Sequence, residues 1–431
     1  MNYPLKILFL VDDFPPVTYT SSGKVVLGLA EELARRGHKV FVITSVQKKS
    51  QEGEEILGKL KIFRVYSNYH ERWQAWLSLY NPQTVFKVRE IIKKIKPDIV
   101  NSRHIHQYLS YHCFKIAKKY SKVVFLTAND CMLFGYTKVV LKNGECVYRL
   151  GVRDYIKQVG KRYNPFRNII IHHYLKYIDK IFSISNTLKK ALEINGIKNI
   201  ITIYNGIDVN EWQENKSITE KFKQKYNLQG KKIVLFGGRL GESKGGKVIL
   251  EAMGRVTKEI DNAVLLVTGK KDSYAQTMMG VARDLAIEDK VIFTGFIIGE
   301  ELKAAYHSAD VCTLPSIYLE AFGMTGLEVM ASGRPLIGSC FGGIHEMIVD
   351  GKTGYVVNPF NTEDFAGKII DLLKNPQKAK EFGEAGYERA KTEFSLEKKA
   401  DETLEQYYKF LSHLNFSKQK QGKDNIKNST N

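Results

Sequence analysis

Glu320 and Glu328 stand eight positions apart in the stretch SIYLEAFGMTGLEVMASGRPLIG. Between them lies a glycine-bearing turn, and the spacing of Leu327, Met330 and Ala331 predicts a helix starting there. Unpaired backbone N–H groups around Gly323 at such a helix start make an anion site. Carboxylates repel phosphate but accept hydrogen bonds from sugar diols. Acids on either side of an anion site therefore fit an anion that carries hydroxyls, and the pattern points to a nucleotide-sugar pocket.

Other residues with chemical potential surround this one. GGRLGESKGG at 237–246 directly follows a strand pattern, and its Arg239 and Lys244 would point toward a helix starting near Gly245 or Gly246. Two cations beside a helix N-terminus can offset the charge growing on a diphosphate leaving group. No GK[ST] ends the segment, so it is not a P-loop; a solvated turn is the alternative. Ser22 and Gly23 open the first helical pattern, where a glycine lets phosphate approach the backbone. FGGIHEMIVDGKTGYVV at 341–357 holds another Gly-Gly at a helix start with Glu346 one turn in, or else a plain turn. His104 and His106 follow a strand ending near Asn101 and would orient an acceptor or sugar hydroxyl, or else lie on the surface. The His172–His173 pair reads as packing. No Asp-x-Asp pair sits in a loop suited to a metal-bridged diphosphate, so chemistry without metal or cofactor is expected.

These residues need a frame. KILFLV (6–11), a helix with Val26, Leu29, Ala30 and Leu33 in phase, and HKVFVIT (38–44) make a β-α-β opening. Strand patterns at 61–66, 98–101, 122–127, 180–185 and 199–205 continue it, with helical patterns between most of them. The cycle restarts at KKIVLFGG (231–238), followed by AVLLVTG, KVIFTGFI, DVCTLPS and RPLIGS. Alternation of this kind predicts α/β architecture: two doubly wound parallel sheets facing a central cleft, with ligands at the strand carboxyl ends. A length of 431 residues also favours two domains. The expected division is 1–208 on the acceptor side and 209–395 on the donor side, with a helix at about 396–416 that can pack back on the first domain. A polar tail from Ser417 to Asn431 is expected to be disordered.

Composition narrows the setting. Residues 1–208 hold 34 Lys+Arg against 16 Asp+Glu, whereas 209–431 hold 31 against 30, so the excess charge sits in the first half. A bilayer surface or a lipid-linked acceptor would attract it; Lys-rich solubility is the plainer account. Nucleic acid is not expected, because no RNP-like or zinc-finger spacing is present. Trp73, Trp76, Leu77 and Tyr80 fall on one helical face, which suits core packing or a membrane contact. No apolar run is long enough to span a bilayer. Five cysteines, Cys113, Cys131, Cys146, Cys312 and Cys340, show no metal spacing and read as reduced thiols, so a cytoplasmic location, peripheral at the inner membrane face, is expected.

The chain resembles the retaining GT-B glycosyltransferases of family 4, most specifically in YNGID (204–208), GGRLGESKGG, Glu-x7-Glu, and the run from ASGRPLIGSCFGG to DGKTGYVV. The resemblance implies transfer of a sugar from a UDP- or GDP-linked donor to a glycan or lipid-linked acceptor, with anomeric configuration retained. It implies that Arg239 and Lys244, with Gly238, bind the donor diphosphate. Glu320 would face the donor sugar and Glu328 the ribose. Phe322, Gly323, Met324 and Thr325 would line the sugar phosphate, with Gly23 closing from the other domain and His104 and His106 as further catalytic candidates. A donor phosphate oxygen would accept the acceptor's proton. The departures from the family pattern fall in the first half: Asn101 and Arg103 stand where the family often has two histidines, TAND replaces T-x-H-D with Asn129 before Asp130, and Ser22–Gly23 stands for the usual Gly-Gly near the first helix. A nucleotide-sugar epimerase and a non-catalytic nucleotide-sugar binder are the alternative functions. The epimerase would need a carboxylate pair that the first half does not show.

Overall fold

A computed structural model describes residues 3–139, 148–238, 240–270 and 272–428, with side chains through 414. Arg239 and Cys146 therefore lie outside the described residues.

The first sheet has eight strands: β1 Lys6–Leu10, β2 Lys39–Val46, β3 Gly53–Leu57, β4 Leu60–Tyr66, β5 Ile99–Arg103, β6 Val123–Ala128, β7 Lys180–Ser183 and β8 Ile200–Thr202. The second has six: β9 Lys232–Phe236, β10 Ala263–Val267, β11 Val291–Phe293, β12 Val311–Leu314, β13 Leu336–Ser339 and β14 Gly354–Val357. Their orders are β3-β4-β2-β1-β5-β6-β7-β8 and β11-β10-β9-β12-β13-β14. All pairings are parallel except β3 with β4. Apolar strands such as KILFL and AVLLV are buried along nearly their whole length because helices cover both faces. The chain thus folds as two Rossmann-like α/β domains.

In each sheet the strand order reverses once, between β1 and β5 and between β9 and β12. A crevice opens at such a reversal because the connecting helices leave on opposite faces. The end of β5 carries Arg103 and the loop after β12 carries Glu320, and both line one cleft.

Four sequence expectations need correction. Strand β3 escaped notice because GEEIL lacks strong β formers, although Gly58 with φ of +56° makes a two-residue turn that pairs Leu57 with Leu60. The final helix runs Leu396–Asn428 instead of ending near residue 416, consistent with the good helix propensity of Lys and Gln. Trp73, Trp76 and Tyr80 do not pack in the core but are 50%, 49% and 42% exposed. There the chain forms a 3-10 turn, Glu71–Trp73, and a single α turn, Gln74–Leu77, which rotates Ala75, Ser78 and Leu79 inward instead. His172 and His173 are exposed as well.

The final helix returns to the first domain. Its Tyr407 hydroxyl accepts a hydrogen bond from Asn101 Nδ2 at 2.8 Å, and its ring packs 5.0 Å from Phe125. Gly206 permits this crossing: a Cβ there would lie 2.7 Å from the Ser395 carbonyl oxygen and 2.9 Å from Lys399 Cβ. Among the described residues no helix is long and apolar enough to cross a membrane.

Candidate active site

The second domain's wall of the cleft is built from helix starts. Gly323, with φ of +93°, caps the helix Met324–Ala331, and Gly245, with φ of +80°, caps Gly246–Glu259. A left-handed residue at these positions turns the chain sharply and leaves first-turn N–H groups facing the cleft. The Gly245 position also demands glycine for space, because a Cβ would come within 2.0 Å of the Pro315 carbonyl oxygen. Gly237 is equally constrained: its Cβ would meet Thr325 Cγ2 at 2.4 Å. Strand end and helix start are thereby locked together.

Lys244 Nζ lies 3.9 Å from Glu320 Oε2, so one cation and one acid stand side by side at the cleft. The Tyr318 hydroxyl donates to the same carboxylate oxygen. Behind Glu320, Gly342 and Gly343 touch its backbone, and the Gly343 N–H donates to Glu320 O at 2.7 Å. The 341–357 segment is therefore more than a turn. Its glycines hold the Glu320 loop in place, since a Cβ on Gly342 would sit 2.4 Å from Glu320 O.

Glu328 is half-buried one helix turn deeper and accepts from the Tyr306 hydroxyl at 2.8 Å. Burial pushes its carboxyl above the usual range, while Tyr306, Lys24 and Lys244 pull the other way. It borders a groove shared with Lys24, Trp212 and Lys303.

Across the cleft, the first domain contributes Ser21, Ser22, Arg103, Asn129 and Asn205. Asn129 Nδ2 donates to Ser22 Oγ at 2.7 Å, and Arg103 Nη2 to Asn205 Oδ1 at 3.1 Å. Phe322, Gly323, Met324 and Thr325 line the same space, though the Phe322 ring is buried against Tyr204 and Phe394. Gly238, with φ of +97°, donates its N–H to Thr268 Oγ1 at 3.2 Å close by Lys244.

Gly23 does not face the cleft. Its N–H is given to the Thr20 cap at 3.1 Å, and a Cβ would lie 2.6 Å from the Asp13 carbonyl oxygen. This glycine is required by packing between loop and helix, and Ser21 and Ser22 face the ligand space in its place. His104 and His106 also stand apart from the cleft lining. Their rings pack 4.3 Å apart, and His106 Nε2 lies 3.7 Å from Asp130 Oδ2. Together with Asp130 they bring ligand atoms within 4.8 Å of one another, a set that could hold a metal ion. Burial lowers the His106 imidazole to about 3, so it is neutral at ordinary pH. The loop bearing them is pinned by buried Asp12, whose carboxylate accepts from the N–H groups of Gln107, Tyr108 and Leu109 at 2.7, 3.0 and 2.7 Å.

A contact between the domains completes the frame. The Glu346 carboxylate accepts from Asn186 N at 2.9 Å, Thr187 N at 2.7 Å, Thr187 Oγ1 at 2.7 Å and Tyr204 OH at 3.0 Å. It caps the helix Asn186–Ile194 of the other domain, as an acid at a helix N-terminus should. Tyr306 and Asp12 carried no short-range motif, whereas Tyr318 lies in the stretch that holds Glu320 and Asn205 in the YNGID segment.

Two family descriptions match this chain: Glycosyltransferase Family 4 over residues 22–211 and Glycosyl transferases group 1 over residues 218–389. The chain is 29% identical over 374 residues to an uncharacterized glycosyltransferase of Methanocaldococcus jannaschii, covering 86% of this chain and 90% of that one. It is 26% identical over 402 residues to the N-acetyl-alpha-D-glucosaminyl L-malate synthase of Bacillus anthracis, covering 90% and 94%. Among solved structures, sucrose-phosphate synthase from Thermosynechococcus elongatus superposes with a TM-score of 0.73 at 21% identity, covering 94% and 99%. The chain belongs to the family 4 glycosyltransferases and has their GT-B fold; its activity is glycosyl transfer.

Proposed function

We propose that the protein moves a sugar from a UDP- or GDP-linked donor to a glycan or lipid-linked acceptor with retention of anomeric configuration. The observation that carries this reading is the pairing of Lys244 with Glu320 beside two helix N-termini in the interdomain cleft. In the proposed step the diphosphate departs toward Lys244 and the helix amides, with Arg239 assigned to it as the second cation by the family resemblance. The cations and dipoles stabilise the charge that develops on it. Glu320, oriented by Tyr318, accepts hydrogen bonds from the donor sugar, and Glu328, oriented by Tyr306, binds the ribose diol. The departing phosphate oxygen takes the acceptor's proton on the same face, so the incoming oxygen replaces the leaving one without inversion. No metal or other cofactor is assigned to this step.

A role in cell-surface polysaccharide or glycoconjugate synthesis follows from a lipid-linked acceptor. The basic first half and the exposed Trp73, Trp76 and Tyr80 support peripheral contact with an anionic membrane from the cytoplasmic side. The Bacillus anthracis relative, a synthase by name, and the structural neighbour, a sucrose-phosphate synthase, support a transferase over a binding protein. The test is release of UDP, GDP or ADP from a panel of nucleotide sugars, with and without chelator. Proton NMR of the product then reads the anomeric configuration. Absence of turnover with every donor, or an inverted product, would overturn the reading.

A further inference from the structure

Two basic side chains are buried at the floor of the cleft. Arg103, at the end of β5, is 5% exposed, and Lys399, on the returning helix, is 4% exposed. Both border a small space walled by Phe9, Val25 and Phe182, and Arg103 also opens on the donor cleft beside Lys244. Their bonding is incomplete. Arg103 gives Nη2 to Asn205, while its buried Nε has no partner. Lys399 Nζ reaches the Ile203 carbonyl oxygen at 3.3 Å. Neither forms an ion pair among the described residues; Asp130 and Glu402 act on them only through space. Burial pulls Arg103 down to about 10 and Lys399 to about 7.

Leaving a guanidinium buried with a missing acceptor is destabilising, and an apolar residue of similar volume would be tolerated better by these walls. A structural arginine would be expected to pair with a carboxylate or fill its fork with carbonyl oxygens. Here one amide holds the fork, the buried Nε is left without an acceptor, and the side chain borders the cleft. Arg103 is also a point where the chain departs from the family pattern, placing a permanent cation where a histidine is common.

We propose that Arg103, oriented by Asn205 and backed by Lys399, forms a second anion subsite that takes a carboxylate or phosphate carried by one of the sugar substrates. The proposal rests on the transfer reading above and specifies its substrate class: one of the two sugars is acidic. A guanidinium binds such groups bidentately, and the low-polarity wall strengthens the bond.

The test is calorimetry on the wild type, Arg103→Gln and Lys399→Met, each first shown to fold by circular dichroism. UDP is titrated alone; then UDP-glucose is compared with UDP-glucuronate, and glucose with glucose 6-phosphate on UDP-saturated protein. The expected result is UDP affinity equal within about threefold in wild type and Arg103→Gln, and an acidic probe at least tenfold weaker in the variant. A gain for UDP-glucuronate places the acid on the donor; a gain for glucose 6-phosphate places it on the acceptor. Acidic and neutral probes binding the wild type alike would overturn the subsite. So would Arg103→Gln weakening UDP as much as the acidic probe, since Arg103 would then serve the diphosphate. Failure of the transfer reading looks different: UDP, GDP and ADP all fail to bind. In that event inorganic phosphate titrated onto the free protein still reads the subsite, supported by loss in Arg103→Gln and overturned by equal binding.

Discussion

Gly342→Ala should disable the enzyme without unfolding it. Gly342 has φ of +75°, and an added Cβ would lie 2.4 Å from Glu320 O and 2.6 Å from Glu320 N. Ordinary contact begins at 3.4 Å, so the Glu320 backbone must retreat by about 1 Å. A misplacement of that size in a reacting group costs on the order of 100-fold in rate, or about 2.7 kcal/mol of barrier. The left-handed alanine itself costs a further 1–2 kcal/mol or so of folding stability. Gly351 separates the two effects: its φ is +71°, yet nothing lies within 4 Å of its added Cβ. Gly351→Ala should therefore show a similar drop in denaturant midpoint with turnover within about threefold of wild type. The assay is nucleoside diphosphate release with the donor found by screening, alongside urea unfolding of both variants. Equal turnover in Gly342→Ala and Gly351→Ala would refute the claim that the Gly-Gly pair positions Glu320.

Lys244→Ala should lower turnover at least tenfold, about 1.4 kcal/mol, because the cation beside Glu320 no longer offsets leaving-group charge; unchanged kinetics would remove its assignment. Glu346→Ala should destabilise the protein by about 1–3 kcal/mol, since two helix-start N–H groups and two hydroxyls lose a charged acceptor; an unaltered unfolding midpoint would show that the interdomain cap is dispensable. Lys399 predicts a pH dependence. Its folded value near 7 lies below the ordinary 10.5, so between those values the unfolded chain binds the extra proton and stability rises with pH. Wild type should gain stability from pH 7 to 9 at up to about 1.4 kcal/mol per pH unit, and Lys399→Met should lose that slope. Parallel profiles would contradict it.

Much of this molecule could be read from local patterns. Strand positions followed from short apolar runs, because a strand buried on both faces leaves nothing polar along it. The helix start after Glu320 followed from glycine and apolar phase, and one turn and one helix place Glu320 on the cleft and Glu328 on the groove beside it. The reading went astray where orientation mattered. The phase of Trp73, Trp76 and Tyr80 fits a helix that the chain breaks after Leu77, so the apolar side faces outward. His104 and His106 drew notice by residue type, but strand β5 ends at Arg103, and alternation along the strand decides which side chain meets the cleft.

Residue types and short spacings thus disclose the second domain's side of the cleft, because its lining lies within single β-turn-α units where neighbours in sequence are neighbours in space. The first domain's side is assembled otherwise. Arg103, Asn205 and Lys399 come from a strand end, an interdomain crossing and the returning helix, and Glu346 caps a helix of the opposite domain. Such meetings depend on how two sheets dock and where the last helix crosses back, and no periodicity along the chain records them.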